Sequence, residues 1–247
     1  MNGELHVGTS GWSYDHWAGD FYPEHLGSAH RLEYFATQFR TVEIDSSFYH
    51  LPSEDAVKAW RDTVPDGFVF AAKGSRLITH YRRLANVDEA LDAYMRRLGL
   101  LGGKWAVALW QLPPTLKRDD ERLSAFLKLA RRKSPKRLRH AVEFRDPSWL
   151  VEPVYEVLRE TGAALVSVAS QDMPDSRVPT AEFVYVRFHG TSGYHGSYQR
   201  PALEPWAAYL GEQLSDGRDV YAYFNNDAEG HAPRDARRLL EMLAEKR

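Results

Sequence analysis

Eight strand-like runs punctuate the chain: LHVG (5–8), TVEID (41–45), FVFAAK (68–73), WAVALWQ (105–111), HAVEFR (140–145), ALVSV (164–168), FVYVRFH (183–189) and VYAYF (220–224). β-Branched and aromatic residues are frequent in them, as suits a pleated surface. Amphipathic helical stretches fill most of the gaps, over 30–39, 53–64, 87–101, 119–132, 148–160, 203–214 and 233–246. Ser53 is placed to cap the second of these. Regular strand–helix alternation implies parallel strands with right-handed crossovers. Eight such units imply closure into a (β/α)8 TIM-type barrel of the α/β class rather than an open sheet. One unit is defective. ASQDMPDSRVPTA (169–181) carries two prolines and no helical period, so the sixth helix is expected to be missing or reduced to a turn. The 247 residues suit one such barrel, and no linker, low-complexity tract or strong repeat divides them. Residues 1–247 therefore read as a single TIM-barrel domain.

Composition narrows the function classes. Apolar residues make up 43% of the chain, enough for a sizeable core and against global disorder. Lys plus Arg number 32 and Asp plus Glu 34, a net charge of −2, which argues against a dedicated nucleic-acid binder. The chain has no cysteine, so disulfides, thiolate metal sites and a Cys nucleophile are excluded. The opening MNGELHVGTSGW lacks a basic segment followed by an apolar one, and no run reaches about 18 apolar residues. The expectation is a cytoplasmic protein with no signal peptide and no membrane span.

In such barrels the C-terminal ends of the strands form the active face. A period of two separates inward from outward side chains. Val42 and Ile44 pack outward, so Glu43 and Asp45 point in. Lys73 shares a face with Ala71, and Gln111 with Leu109. Outward Val142 and Phe144 leave Glu143 and Arg145 inward; outward Val184, Val186 and Phe188 leave Arg187 and His189. Strand eight delivers Asn225, Asn226 and Asp227 to the same rim, and the first loop adds Thr9, Ser10, Trp12, Ser13 and Tyr14. Three inward acids facing three inward bases can neutralise one another as structural pairs. Burying ion pairs is costly, however, and six charges at one end fit a polar ligand pocket better.

The stretches GTSGWSYDHWAGDFYP (8–23), TVEIDSSFYHLP (41–52), FVFAAKGSRLITH (68–80), WQLPP (110–114), VEFRDPSW (142–149), RFHG (187–190) and YFNND (223–227) together resemble the motif series of the YecE-like family, the domain of unknown function numbered seventy-two. The resemblance runs in order along nearly the whole chain. It implies a TIM-type barrel related in architecture to sugar isomerases and brings no assigned reaction. The chain departs from the pattern at Asp45, where Asn is usual, and at Asp146, where His is usual. The first departure argues against Asp45 as metal ligand or general base, because an amide serves neither role.

Three chemistries compete on these residues. The preferred one is metal-free and cofactor-free acid–base catalysis on a small polar or anionic substrate, carbohydrate-like or phosphorylated. Arg187 and Arg145 would clamp an anion, since guanidinium forks match carboxylate and phosphate. Thr9, Trp12, Tyr14, Asp45, Gln111, Asn225, Asn226 and Asp227 would complete the binding site. Glu143, kept ionised by Arg145, would act as base, and His189 would shuttle a proton or polarise a carbonyl. Lys73 would form a Schiff base if its pKa fell, although nearby carboxylates are expected to keep it high. Gly190, Thr191, Ser192 and Gly193, with Gly230, would cradle phosphate or simply turn the chain. The second chemistry is metal-assisted hydrolysis or isomerisation by Glu143, His189 and Asp227 with Glu43 or Asp45, although no compact metal motif occurs. The third is nucleic-acid binding by RRKSPKRLRH (131–140), which lies on the N-terminal face and reads more simply as a solvated connector. Neither a phosphate-loop motif, a dinucleotide fingerprint nor a serine-hydrolase elbow is present.

Overall fold

The computed structural model describes residues 3–170, 173–174, 176–192 and 195–245. All eight expected strands form: β1 Leu5–Thr9, β2 Thr41–Ile44, β3 Val69–Lys73, β4 Trp105–Gln111, β5 Arg139–Glu143, β6 Ala164–Ala169, β7 Phe183–Phe188 and β8 Asp219–Phe224. Each pairs in parallel with the next from β2 to β8, and β8 pairs in parallel with β1. The last seam, between β1 and β2, is closed by a shorter contact. Ser10 and Glu43 form a single parallel bridge, and the Gly11 N–H donates to the Glu43 carbonyl at 2.8 Å. The result is a nearly closed barrel of the TIM type.

The seven expected helices are also present: α1 Arg31–Gln38, α2 Glu54–Thr63, α3 Asp88–Leu98, α4 Asp120–Lys133, α5 Glu152–Thr161, α6 Arg200–Ser215 and α7 His231–Ala244. Local chemistry sets their ends. Ser53 Oγ accepts the Ala56 N–H at 3.1 Å, and Asp119 accepts that of Arg122 at 3.0 Å. Gly162, in the left-handed region at φ 68°, ends α5. Between β6 and β7 the described residues carry no helix; Gln171, Asp172 and Asp175 of that gap lie outside them.

The period of two produces two cores. Ala71, Val107, Leu109, Ala141, Val166 and Tyr185 fill the barrel interior. Val42, Ile44, Val142, Val186 and Phe188 belong to the outer layer against the helices. Interior charges therefore lie at the two ends of the strands, with an apolar plug between them and the Arg139–Asp219 pair at the lower end. Among the described residues no helix is long and apolar enough to cross a membrane.

The β1–β2 seam depends on a missing side chain. A Cβ on Gly8 would lie 2.2 Å from the Thr41 carbonyl oxygen, so any larger residue must push the strands apart. Gly8→Ala is expected to destabilise the protein by about 1–3 kcal/mol. Urea unfolding measures this, and an unchanged midpoint would mean that the seam yields freely.

Candidate active site at the strand ends

Arg187, Glu43 and Glu143 meet at the centre of the upper barrel, each almost wholly removed from solvent. Arg187 donates from Nε and one terminal nitrogen to the two oxygens of Glu43, at 3.0 and 2.6 Å. Its other terminal nitrogen donates to Glu143 Oε2 at 2.7 Å. Ser10 Oγ and the Tyr185 hydroxyl donate to Glu43 at 2.5 and 2.6 Å. On the far side, Glu143 Oε1 receives Gln111 Nε2 at 2.9 Å and lies 3.2 Å from His189 Nε2 and 2.5 Å from Arg145 Nε. Asn225 Nδ2 lies 3.2 Å from His189 Nδ1 and extends the lattice to β8.

Burial alone would raise both glutamates. The Arg187 charge overturns that at Glu43, and Arg187, Arg145 and His189 overturn it at Glu143, which falls well below the usual carboxylate range. Burial pushes His189 down to about 4 against the opposing pull of Glu143, so its imidazole is neutral at pH 7.

Above this lattice lies a cavity of about 290 Å3, lined by Ser10, Asp45, Lys73, Arg187, Asn225 and Asp227. Its charged groups behave in the opposite way. Burial raises the Asp45 carboxyl, and the Glu43 charge adds to it. Burial likewise raises Asp227, whose oxygens are held by Trp17 Nε1 at 2.6 Å and His16 Nε2 at 3.3 Å. Lys73 is lowered to about 8 by burial first and by the Arg187 charge second. That corrects the expectation that carboxylates would hold it high: Glu43 and Glu143 are already satisfied by guanidinium. Lys73 Nζ instead lies 4.2 Å from the Phe48 ring centre. Tyr49 and Tyr81, 56% and 66% exposed, stand at the upper edge with Arg76 over both rings.

The structure thus brings most of the expected residues to one end of the barrel, in distinct layers. Asp45, Lys73, Arg187, Asn225 and Asp227 line the cavity, while Glu143, Gln111, Arg145 and His189 form the lattice beside and beneath it. Tyr14 packs next to Asp45 and donates to the Ser10 carbonyl at 2.8 Å. Three residues turn elsewhere. Thr9 Oγ1 donates to the Gly11 carbonyl at 2.6 Å within the first loop. Trp12 packs edge-on against Trp60. Asn226 Nδ2 donates to Gly196 O and to buried Asp235 at 3.0 and 2.7 Å, anchoring α7. Gly190 N–H is taken by the Tyr198 hydroxyl at 3.0 Å, and Ser192 and His195 form an antiparallel bridge; Gly193 lies outside the described residues. Tyr185, Asp235 and His16 are supporting residues beyond those singled out in the sequence. Strand phase alone could have flagged Tyr185, in register with Arg187. Among the described residues no group of three His, Asp or Glu side chains is placed to hold a metal ion.

The basic run 131–139 lies at the opposite face, beside a concavity of about 1000 Å3. Arg131 there donates to the Thr161 carbonyl at the end of α5, and Arg139 pairs with Asp219 at 2.6 Å. Cations at helix C-termini offset the helix dipole, which accounts for part of the cluster.

A nearly closed parallel barrel with a charged cup at its strand ends defines a TIM-type barrel protein. Residues 6–247 match the family described as Protein of unknown function DUF72, and the chain belongs to that family. It is 27% identical to UPF0759 protein YunF of Bacillus subtilis (strain 168) over 271 residues, spanning 97% of this chain and 94% of YunF. The crystal structure of a DUF72 family protein from Thermotoga maritima MSB8 superposes with a TM-score of 0.87 at 28% identity, over 98% of this chain and 99% of that one. D-psicose 3-epimerase, solved in the presence of D-fructose, superposes with a TM-score of 0.58 at 12% identity, over 98% and 97% of the two chains, a likeness of fold alone.

Two outcomes are expected. Arg187→Met strands two buried carboxylates and should cost about 3–5 kcal/mol at pH 7. Acidification should narrow the gap to wild type, because the two glutamates then protonate; a gap independent of pH in urea melts would refute the pairing. Second, the folded His189 pKa lies below its unfolded value of 6.5, so the unfolded state binds more protons between pH 6.5 and 4. Stability must fall with pH in that window, by about 2 kcal/mol from this residue at pH 5. His189→Asn should show a flatter pH dependence there, and an equally steep one would assign the acid lability elsewhere.

Proposed function

We propose that the strand-end cup is a catalytic site performing acid–base chemistry on a small, polar, carbohydrate-like substrate. The observation that carries this reading is the separation of charges into two sets. Arg187, Glu43 and Glu143 are locked together below, while Asp45, Asp227 and Lys73 face the cavity with titrations displaced toward neutrality. A raised carboxyl and a lowered amine are displaced in the direction that favours proton exchange.

This assigns the proton-transfer role to Asp45 and Asp227 in place of Glu143. Glu143 receives donors on both oxygens and is held strongly ionised, so in this reading it positions Arg187, Arg145 and His189. Asp227, fixed by Trp17 and His16, serves as base, and Asp45 as its acid partner, a role that the Asn usual at this position in the family pattern could not fill and that is therefore tied to this chain's departure from it. Asn225 and Ser10 offer hydrogen bonds to hydroxyls. Arg187 has its nitrogens committed to carboxylates, so the cation offered to an anionic substituent is Lys73. The sugar-like substrate class draws support from the cavity's polar lining and, by architecture only, from the epimerase likeness. Metal-assisted chemistry is the weaker reading, because the two central carboxylates are already neutralised by guanidinium.

The test is a panel of sugars, polyols and sugar phosphates, read first by thermal shift and then by turnover of any compound that binds. Asp227→Asn and Asp45→Asn are each expected to lower kcat by about 10²–10⁴ while leaving the fold intact. Full turnover in both variants would dismiss the acid–base assignment.

A further inference from the structure

We propose that Lys73 is a covalent catalytic residue, whose amine condenses with the carbonyl carbon of a small hydroxylated aldehyde or ketone held in the strand-end cavity. The proposal rests on the cup being the active site and adds the reactive group that the substrate must carry.

The placement of Lys73 supports it. The residue ends β3 on the inward face, one period above Ala71, and its side chain lines the cavity. Its backbone is fixed: Ser47 Oγ donates to the Lys73 carbonyl at 2.7 Å, and the next N–H, of Gly74, donates to Leu109 O at 2.7 Å. Among the described residues Lys73 Nζ has no hydrogen bond or ion pair, only the Phe48 ring face at 4.2 Å. A partly buried ammonium without a carboxylate partner is costly, and a solely structural lysine would be expected to have one.

The reason it lacks one is visible in the lattice. The groups facing it are Glu43 and Asp45 from β2 and its end, Glu143 and Arg145 from β5 and its end, Arg187 from β7, Asp227 beyond β8, and His80 from the turn after β3. Arg187 spans both glutamates, and the Arg187 and Arg145 guanidinium charges both oppose the ammonium. Together with burial they bring the amine to about 8 and supply neutral nucleophile near physiological pH.

The chemistry balances without a further reagent. The amine lone pair adds to the carbonyl carbon, the carbonyl π pair moves to oxygen, and that oxygen takes a proton from Asp45. Nitrogen releases a proton to Asp227. The carbinolamine hydroxyl takes that proton back from Asp227 and leaves as water while the nitrogen lone pair forms the C=N bond, leaving a protonated imine. The net change is carbonyl compound plus neutral lysine amine plus the Asp45 proton giving iminium, Asp45 carboxylate and water. The iminium accepts the electron pair of an adjacent C–H bond while a carboxylate takes the proton, giving an enamine; return of a proton to that carbon restores an iminium, and water then hydrolyses it to carbonyl compound and free amine.

The experiment incubates the protein with dihydroxyacetone, glycolaldehyde and D-fructose in turn, adds sodium borohydride, and maps adducts by peptide mass spectrometry. One reduced imine on Lys73, lost in Lys73→Arg, is the expected result. In parallel, limited acetic anhydride labelling across pH 6–10 should give Lys73 a midpoint near 8, against about 10.4 for surface lysines. Adducts spread over surface lysines, or an ordinary labelling midpoint, would overturn the covalent role. If Lys73 forms no adduct yet a carbonyl compound still shifts the melting temperature, covalency fails and the acid–base reading stands. If no panel compound binds or reacts, both fail together.

Discussion

Arg187 lies between Glu43 and Glu143 with all three side chains withdrawn from water. Its planar fork is what makes this possible. Two nitrogens meet one carboxylate while the third meets the other, a division that a single ammonium cannot reproduce. The three residues come from β2, β5 and β7, which are not neighbours in the sheet. Strand ladders tie the barrel around its circumference; this triad ties it across the lumen. Beneath it the interior is apolar or aromatic, with Tyr185 reaching up to Glu43 and Tyr223 hydrogen-bonded to Thr41 at 2.6 Å. An apolar set of equal volume would serve stability as well or better. The charged lattice therefore calls for another reason, and the cavity above it supplies one.

By absorbing the two strongest carboxylates, Arg187 changes the company kept by every group nearer the solvent. Lys73 loses its natural counter-ions. Asp45 is raised by burial first and by the Glu43 charge second. Asp227 is held by Trp17 Nε1 and His16 Nε2. The lower layer is electrostatically saturated and the upper layer is unsaturated, so the titrations of the upper side chains are displaced from their ordinary values. The same division explains why the two layers tolerate change differently. Removing one member of the lower layer exposes a buried charge, whereas removing an upper one alters a solvent-facing cup.

Strand phase made much of this visible in the sequence. Glu43, Lys73, Glu143 and Arg187 each stand between outward apolar neighbours, so alternation alone turns them inward and the barrel gathers them at one end. The pairing among them was not legible, because Arg187 is 144 positions from Glu43 and 44 from Glu143, and only coordinates rank such contacts. Alternation also stops where a strand stops. β2 ends at Ile44 and β8 at Phe224, so the directions of Asp45, Asn225 and Asn226 depend on local backbone that no period describes. Asn226 accordingly points to α7 while its neighbours reach the cup. Tyr185 was hidden for another reason: in an apolar run an aromatic residue reads as filler, and its hydroxyl acquires meaning only when Glu43 stands above it.

The segment after β3 shows where the fold accepts strain. A π-helical turn spans Leu77–Tyr81, and Arg83, Leu84 and Asn86 follow with φ of 48°, 66° and 53°. Left-handed conformations at non-glycine residues cost about 1–3 kcal/mol each and persist only when their surroundings enforce them. Buried Leu84 and the bonds from the Arg82 and Leu84 N–H groups to Leu77 O and Ile78 O, at 2.9 and 3.0 Å, do so here. What this wound segment holds in place is His80, whose ring packs edge-on to Phe48, the same ring that faces Lys73 Nζ. The strained residues thus follow directly on the turn that presents His80 to Phe48, and Phe48 in turn faces the Lys73 amine. A relaxed loop would spare that energy and would leave this aromatic contact unsupported.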